Sequence, residues 1–211
     1  MRYTILFVGL AVVAAVVLSL IMTPPPPAPE IPAAVQQQQA AVAPAQRPAT
    51  ATDDNIVLLQ LKDGVVEIEM LPNLAPLHVA RIKELVREKF YDGLKFHRVI
   101  EGFMVQTGDP RGNGTGGSGK NLNAEFSAEP HVRGVVSMAR AQSPNSADSQ
   151  FFIVTKDSRF LDRNYTAWGR VISGMEFVDN IKKGDANDNG AVVNPDAIVT
   201  MRMKAEAAAA R

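Results

Sequence analysis

The sequence predicts a mainly β fold, a closed eight-stranded antiparallel barrel capped by two helices. Three observations lead there. Short apolar runs, bounded by turn residues, recur from Asn55 to Met203. Only two stretches carry helical periodicity, and they do not alternate regularly with the strands, so a parallel doubly wound sheet does not fit. Closure would remove the exposed edges that make an open antiparallel sheet hazardous.

The elements follow in order. Asn55 to Lys62 (NIVLLQLK) and Val65 to Met70 (VVEIEM) read as a hairpin turning at Lys62-Asp63-Gly64, with Val66, Ile68 and Met70 on its buried face. A helix follows, with Asn73 as its expected cap, Pro76 in its first turn and an apolar stripe of Val79, Ile82 and Val86. Tyr91-Asp92-Gly93 ends it. Further strands are expected at 95–100, 103–107, 134–140, 151–155 and 167–172. A short helix at 174–182 precedes a last strand at 197–203. Alternation places Phe96 and Arg98 on one strand face and His97 on the other. It sets Met104 and Gln106 opposite Phe103.

Composition divides the 211 residues into unlike parts. Eighteen of the first 22 are apolar, and no charge interrupts Tyr3 to Met22. About 20 apolar residues can span a bilayer as a helix. No small-x-small site adjoins the run, so an uncleaved anchor is expected, with a cleaved signal peptide as the alternative. Arg2, the only flanking charge, places the N-terminus in the cytoplasm and the rest outside. Residues 23–54 form a spacer; up to residue 52 it holds eight of the fourteen prolines, four consecutive glutamines and only two charges, Glu30 and Arg47. Such a stretch cannot bury enough apolar surface to offset its ordering entropy. The folded domain is read over 55–204, and the alanine-rich tail 205–211 is expected to fray.

Several chemistries are excluded. Without cysteine there is no disulfide, thiolate zinc site or cysteine nucleophile. With 22 basic and 22 acidic side chains the chain is not built to coat nucleic acid. Gly112 to Gly117 fits G-x-G-x-x-G, and Gly114 to Lys120 fits the start of a phosphate-binding loop, but no amphipathic helix opens after either. The three histidines lack H-E-x-x-H spacing, and no G-x-S-x-G elbow is present. Asp185-Ala-Asn187-Asp-Asn189-Gly190 matches the start of a calcium loop, with Asp196 at the twelfth position. That makes Asp185, Asn187, Asn189 and Asp196 calcium candidates. A polar turn between helix and strand is the alternative.

The remaining constellation is Phe96 to Asp109, then Ser137 to Ala141, Ser149 to Ile153 and Phe160 to Asp162. It offers one fixed cation, an amide and apolar walls, with no paired carboxylates. Composition alone would make Phe103, Met104, Phe152 and Leu161 barrel core. Arg98 argues otherwise, because an always-charged guanidinium within an apolar strand needs an acidic partner, solvent or a polar ligand.

With the runs FHRVIEGFMVQTGDPRGNGTGG and SQFFIVT, residues 55–204 resemble a cyclophilin-type peptidyl-prolyl cis-trans isomerase of the bacterial, periplasmic-like kind. The resemblance implies an eight-stranded barrel capped by two helices, with an active groove on its outer surface. It implies that Arg98 is catalytic with Gln106 beside it, and that Phe103, Met104, Phe152 and Leu161 receive a proline ring. Ala139 and Gln150 would line the substrate backbone. Arg140 stands where many eukaryotic members have asparagine, and Tyr165 where many members have histidine. Phe160 replaces a tryptophan that favours cyclosporin in some members. The implied partners are proline-containing unfolded or newly exported polypeptides, and no cofactor is required. A monomer is expected at the bacterial inner membrane with its catalytic domain in the periplasm, or soluble there after signal cleavage. A binding module that holds proline segments without turnover is the competing function.

Overall fold

The computed structural model describes residues 53–209. The expected anchor at 1–22 and nearly all of the spacer lie outside the described residues. Among the described residues no helix is long and apolar enough to cross a membrane.

Eight strands form one antiparallel sheet: β1 (Ile56–Gln60), β2 (Val65–Met70), β3 (Arg98–Ile100), β4 (Met104–Thr107), β5 (Val135–Met138), β6 (Phe151–Val154), β7 (Ala167–Ser173) and β8 (Thr200–Met203). Their spatial order is β3-β4-β6-β5-β7-β2-β1-β8. β1 and β2 are the expected hairpin, with Gln60 opposite Val65 and the Leu61 N–H donating to Gly64 O across the turn.

The expected closure is not met. The sheet is an open half-barrel whose end strands, β3 and β8, share no ladder. Loop segments bridge the seam instead. Gly93 N–H donates to Ile198 O (2.8 Å), Phe96 N–H to Asp196 O (2.9 Å) and Ile198 N–H to Leu94 O (2.9 Å). A continuous ladder fails here because the free edge of β3 is taken by the 184–192 segment: Val99 N–H donates to Gly190 O (2.7 Å), and Arg98 bridges to Ala191.

Helix α1 (Pro76–Arg87) buries Val79, Ile82, Leu85 and Val86 in the sheet's interior. Its N-cap is Ala75, not Asn73, and Ala75 supplies no side-chain cap. The carboxylate of Glu125, brought by the long β4–β5 connection, accepts from the Leu77 and His78 N–H groups instead (3.0 Å each). Helix α2 (Met175–Asp179) starts after Gly174, which is left-handed at φ 83°. A third helix, α3 (Lys204–Ala209), covers the described part of the alanine-rich tail; Glu206 within it pairs with Arg87 of α1 (2.7 Å). The interior core is centred on Tyr91, Phe151 and Trp168, which meet edge to face at 5.5 Å.

Candidate active site

Four neighbouring strands assemble the site. Across β3, β4, β6 and β5 the register sets Arg98 opposite Gln106, Gln106 opposite Phe152 and Phe152 opposite Ser137. Directly opposed residues share a face of a sheet. The next row, Val99, Val105, Ile153 and Val136, lies in the interior core. The Arg98 row therefore faces outward. Met104, Phe152, Val154, Leu161 and Ala167 form a second apolar cluster, distinct from the core, with Phe103, Ala139 and Tyr165 against it. So the apolar residues that composition assigned to the barrel interior line its outer surface.

The expected pairing of faces is corrected in one place. Phe96 is buried in the interior core while Arg98 is on the outer row. The chain is irregular at 96–97, and β3 restarts at Arg98, so alternation does not carry across. Met104 and Gln106 do share a face, two residues apart in β4. Phe103 precedes the strand in a turn, yet borders the same cavity.

That cavity, about 280 Å³, opens over the outer cluster. Arg98, Gln106 and Arg140 supply its polar side; Phe103, Met104, Ala139, Phe152, Phe160, Leu161 and Tyr165 supply its apolar walls. Phe160 is 71% exposed and tilts against Phe103 at 5.4 Å, forming a rim. Gln150 lies in an adjoining cavity of about 280 Å³ that shares Gln106, Ala139 and Arg140 and is walled by the glycine loop.

A chain of amides orients Arg98. Gly114 O and Gly116 O accept from Gln150 Nε2 (3.0 and 2.8 Å). Gln150 Oε1 accepts from Gln106 Nε2 (2.9 Å), and Gln106 Oε1 accepts from Arg98 Nη1 (3.2 Å). This order fixes which end of each amide is oxygen. On the other side, Asn189 accepts from Arg98 twice, at its backbone O from Nε (3.0 Å) and at Oδ1 from Nη2 (2.9 Å). Nη1 also approaches Met104 Sδ at 3.9 Å, a weak acceptor inside the apolar cavity. Among the described residues no carboxylate lies within ion-pair distance of Arg98. Burial pulls its pKa below the usual arginine value, opposed by Tyr165, but a guanidinium stays charged at neutral pH.

The glycine loop is built around two carboxylates. Asp109, nearly fully buried, accepts from the N–H groups of Arg111, Asn113 and Gly114. Burial pushes its pKa up, but these backbone donors hold it below the usual carboxylate value. Asp148 accepts from Ser118 N–H (2.9 Å), the Ser118 hydroxyl and Gly119 N–H (2.8 Å). Gly117 sits so close to Asp148 that a Cβ would lie 2.8 Å from its Cγ. The loop is thus neither a nucleotide cradle nor loose.

Behind Phe152 lies a buried polar support. His131 stacks on Phe152 (centroids 6.5 Å, 25°), accepts or donates at Nε2 with Ser137 Oγ (3.0 Å), and meets Asp162 at Nδ1 (3.2 Å). The order mimics a nucleophilic triad, but Ser137 is fully buried and cannot reach a substrate. Burial lowers the His131 pKa against the pull of Asp162. For Asp162, burial raises the pKa, but the His131 N–H, Arg159 and the His131 ring bring it to about 2. Arg140 packs over Tyr165 at 4.8 Å and Phe126 at 5.8 Å, and donates to the carbonyls of Ala141, Gln142 and Asn164.

The calcium candidates are engaged separately. Asp185 accepts from Asn187 N–H (2.8 Å), Asn189 holds Arg98, and Asp196 pairs with Lys62 (2.8 Å) and accepts from Lys182 N–H (2.8 Å). Among the described residues no group of three or more histidine, aspartate or glutamate side chains is placed to hold a metal ion. Sequence reasoning missed three residues. Asp109 had a local signal, a carboxylate followed by glycines at short spacing. Asp148 and the Asn189–Arg98 contact had none, being 30 and 91 residues from their partners.

Comparison with known proteins gives a consistent picture. A sequence model of the family "Cyclophilin type peptidyl-prolyl cis-trans isomerase/CLD" matches residues 56–203. A Brucella suis protein described as "Probable peptidyl-prolyl cis-trans isomerase" is 53% identical over 177 residues, covering 78% of this chain and 90% of that one. The crystal structure of a cyclophilin from Hirschia baltica superposes with a TM-score of 0.64 at 32% identity, covering 72% of this chain and 74% of the other. A cyclophilin type isomerase from Cryptosporidium parvum, crystallised in the presence of the dipeptide Ala-Pro, superposes with a TM-score of 0.64 at 27% identity, covering 70% and 98%.

Proposed function

The chain belongs to the cyclophilin-type peptidyl-prolyl cis-trans isomerases and is an isomerase, and from that premise we propose that it turns X-Pro bonds in the cavity over β4 and β6, with Arg98 as the catalytic group. The observation that carries this reading is the Arg98 guanidinium, held at the rim of an apolar cavity by neutral oxygens alone.

The peptide bond's partial double-bond character sets a barrier of roughly 18–20 kcal/mol. Unaided X-Pro rotation takes tens to hundreds of seconds. Rotation breaks the resonance and leaves a localised lone pair on the proline nitrogen. Met104, Phe152, Leu161 and Phe103 receive the ring; burying its methylenes contributes roughly 2 kcal/mol and holds the proline side still. The acyl side is then free to turn toward the polar rim. Asn189 and Gln106 occupy three of the guanidinium's five N–H groups, leaving one on Nη2 and the weakly engaged one on Nη1. A donor aimed at the twisted nitrogen is stronger there than at either planar ground state, which lowers the barrier. Because neutral acceptors hold the cation, its charge is not cancelled before substrate arrives. Ala139, Arg140 and Gln150 flank the substrate backbone, and Phe160 and Tyr165 close the rim. The Ala-Pro dipeptide used with the Cryptosporidium parvum relative supports proline-containing peptides as the substrate class.

Arg98→Ala tests the mechanism. A protease-coupled or refolding assay should show kcat/KM reduced about 100- to 1,000-fold, the size of one lost transition-state donor, with the melting curve retained. Near wild-type turnover overturns the assignment. The sequence of residues 3–22 supports a further reading: the catalytic domain stands outside a bacterial inner membrane on an apolar anchor and serves exported polypeptides. Carbonate extraction of membranes should leave the full-length chain in the pellet. Release of a shortened protein refutes the anchor.

A further inference from the structure

We propose that Asn189 is a positioning residue for the isomerisation, acting through Arg98, and that the 184–191 loop is the arm that carries it. This rests on Arg98 being the catalytic group.

Three features of the loop support the assignment. First, the contact has two points. Backbone O and side-chain Oδ1 of one residue accept from Nε and Nη2 along one edge of the guanidinium. Two acceptors fix both the position and the plane of the fork, which a single one cannot do. Second, reaching both donors requires a special backbone. Asn189 is left-handed (φ 48°, ψ 29°), a conformation asparagine tolerates better than most residues. Third, the loop is clipped to β3 on both sides of Arg98. Val99 N–H donates to Gly190 O (2.7 Å), Gly184 N–H to Val99 O (3.0 Å) and Val192 N–H to His97 O (3.1 Å). The loop closes on itself through Gly190 N–H to Asp185 O (2.8 Å) and Asp185 N–H to Ala191 O (3.0 Å). The Asp185 carboxylate caps the turn at Asn187. Residues that match the start of a calcium loop by pattern thus form, through these hydrogen bonds, a bracket along β3.

The chemistry of the acceptor matters as well. An aspartate at 189 could make the same two contacts but would neutralise the guanidinium and pull it from the cavity. An amide orients it and leaves its charge available to the substrate.

The test compares Asn189→Gly and Asn189→Asp in the wild-type and Arg98→Ala backgrounds, using the full chain and a proline-containing peptide. Glycine keeps the left-handed backbone and the main-chain acceptor and removes only Oδ1. Asn189→Gly should lower kcat about tenfold with KM little changed, the size of one charge-assisted hydrogen bond realised in the transition state. It should have no further effect when Arg98 is already alanine. Asn189→Asp should lower kcat at least as far while the melting temperature holds or rises. An Asn189→Gly variant of wild-type rate, an equal loss in both backgrounds, or a fully active Asn189→Asp variant overturns the proposal. These outcomes are separable from failure of the Arg98 assignment itself, which appears as an active Arg98→Ala enzyme whatever stands at 189.

Discussion

Replacing Glu125 by alanine should cost the domain about 3 kcal/mol. Helix α1 begins at Pro76 with no side-chain cap of its own. Glu125 stands in for one across 47 residues of sequence, accepting from Leu77 N–H and His78 N–H at 3.0 Å and from His78 Nδ1 at 2.6 Å. The three bonds are not equal. Leu77 is 53% exposed, so water replaces its acceptor and little is lost. His78 is fully buried, so its two donors are left without partners. Each orphaned buried donor costs about 1–3 kcal/mol, and the lost anion at the helix N-terminus adds about 0.5 kcal/mol. At about 2–4 °C per kcal/mol for a domain of this size, Tm should fall by about 6–12 °C. Glu125→Gln keeps one acceptor oxygen and should lose about half as much. A pH series sharpens the test. Burial raises the Glu125 pKa, but the Leu77 N–H and both His78 donors bring the net value below the ordinary one. Its contribution is therefore present above the unfolded value near ~4.3 and lost as pH falls through the folded one. The gap between wild type and Glu125→Ala, read by circular dichroism melts, should narrow in acid. A Tm shift under about 2 °C at pH 7, or a gap that stays constant down to the acid limit, refutes the capping role.

Gly117→Ala should destabilise by about 1–3 kcal/mol through overpacking, because its methyl meets Asp148, and should raise KM by deforming the adjoining cavity. Gly119→Ala is the control: its Cβ meets nothing within 4 Å, so only left-handed strain of about 1–2 kcal/mol is expected and KM should not move. Acid should destabilise the wild type from pH 6.5 downward. Burial holds His97 and His131 below their ordinary values, so the unfolded chain takes up protons first and their contribution, full above ~6.5, is lost as pH falls. Asp162, at about 2, adds a second loss below ~3.9. Urea midpoints that rise on acidification from pH 7 to 5 would contradict the sign.

What was legible in the sequence was local or carried by a long motif. Val65 to Met70 alternates and its turn is Asp63-Gly64, so β2 is read to the residue. Arg98, Phe103, Met104, Gln106, Gln150 and Phe152 of the outer face lie within two contiguous runs, whereas Ala139, Arg140, Phe160, Leu161 and Tyr165 come from outside them. What was not legible depends on contacts distant in sequence. Closure of the sheet is pre-empted by residues 190–192, which read as an ordinary turn but bond along the free edge of β3, about 90 residues away in sequence. Asn73 is a good cap by type, but the turn that brings Leu74 and Ala75 N–H onto Leu71 O moves the helix start to Pro76. The face of Phe96 was misjudged because period-two reasoning assumes an unbroken strand, and β3 begins only at Arg98.

The treatment of the arginines is the strongest physical argument for where the chemistry lies. Arg202 is locked by both oxygens of Asp92 (2.7 Å each), Arg133 by both oxygens of Asp179, and Arg170 pairs with Glu129. Each of these cations is neutralised and serves the fold. Arg140 also faces carbonyls and borders the same cavity, but two rings, Tyr165 and Phe126, cover its guanidinium. Arg98 alone among these five combines neutral acceptors with a guanidinium that no ring covers and an N–H that approaches Met104 Sδ in the apolar cavity. A cation desolvated without a counter-charge is unfavourable in the resting protein. It becomes useful when a ligand develops electron density at that point, as the X-Pro nitrogen of the proposed mechanism would while its ring fills the cavity beside it.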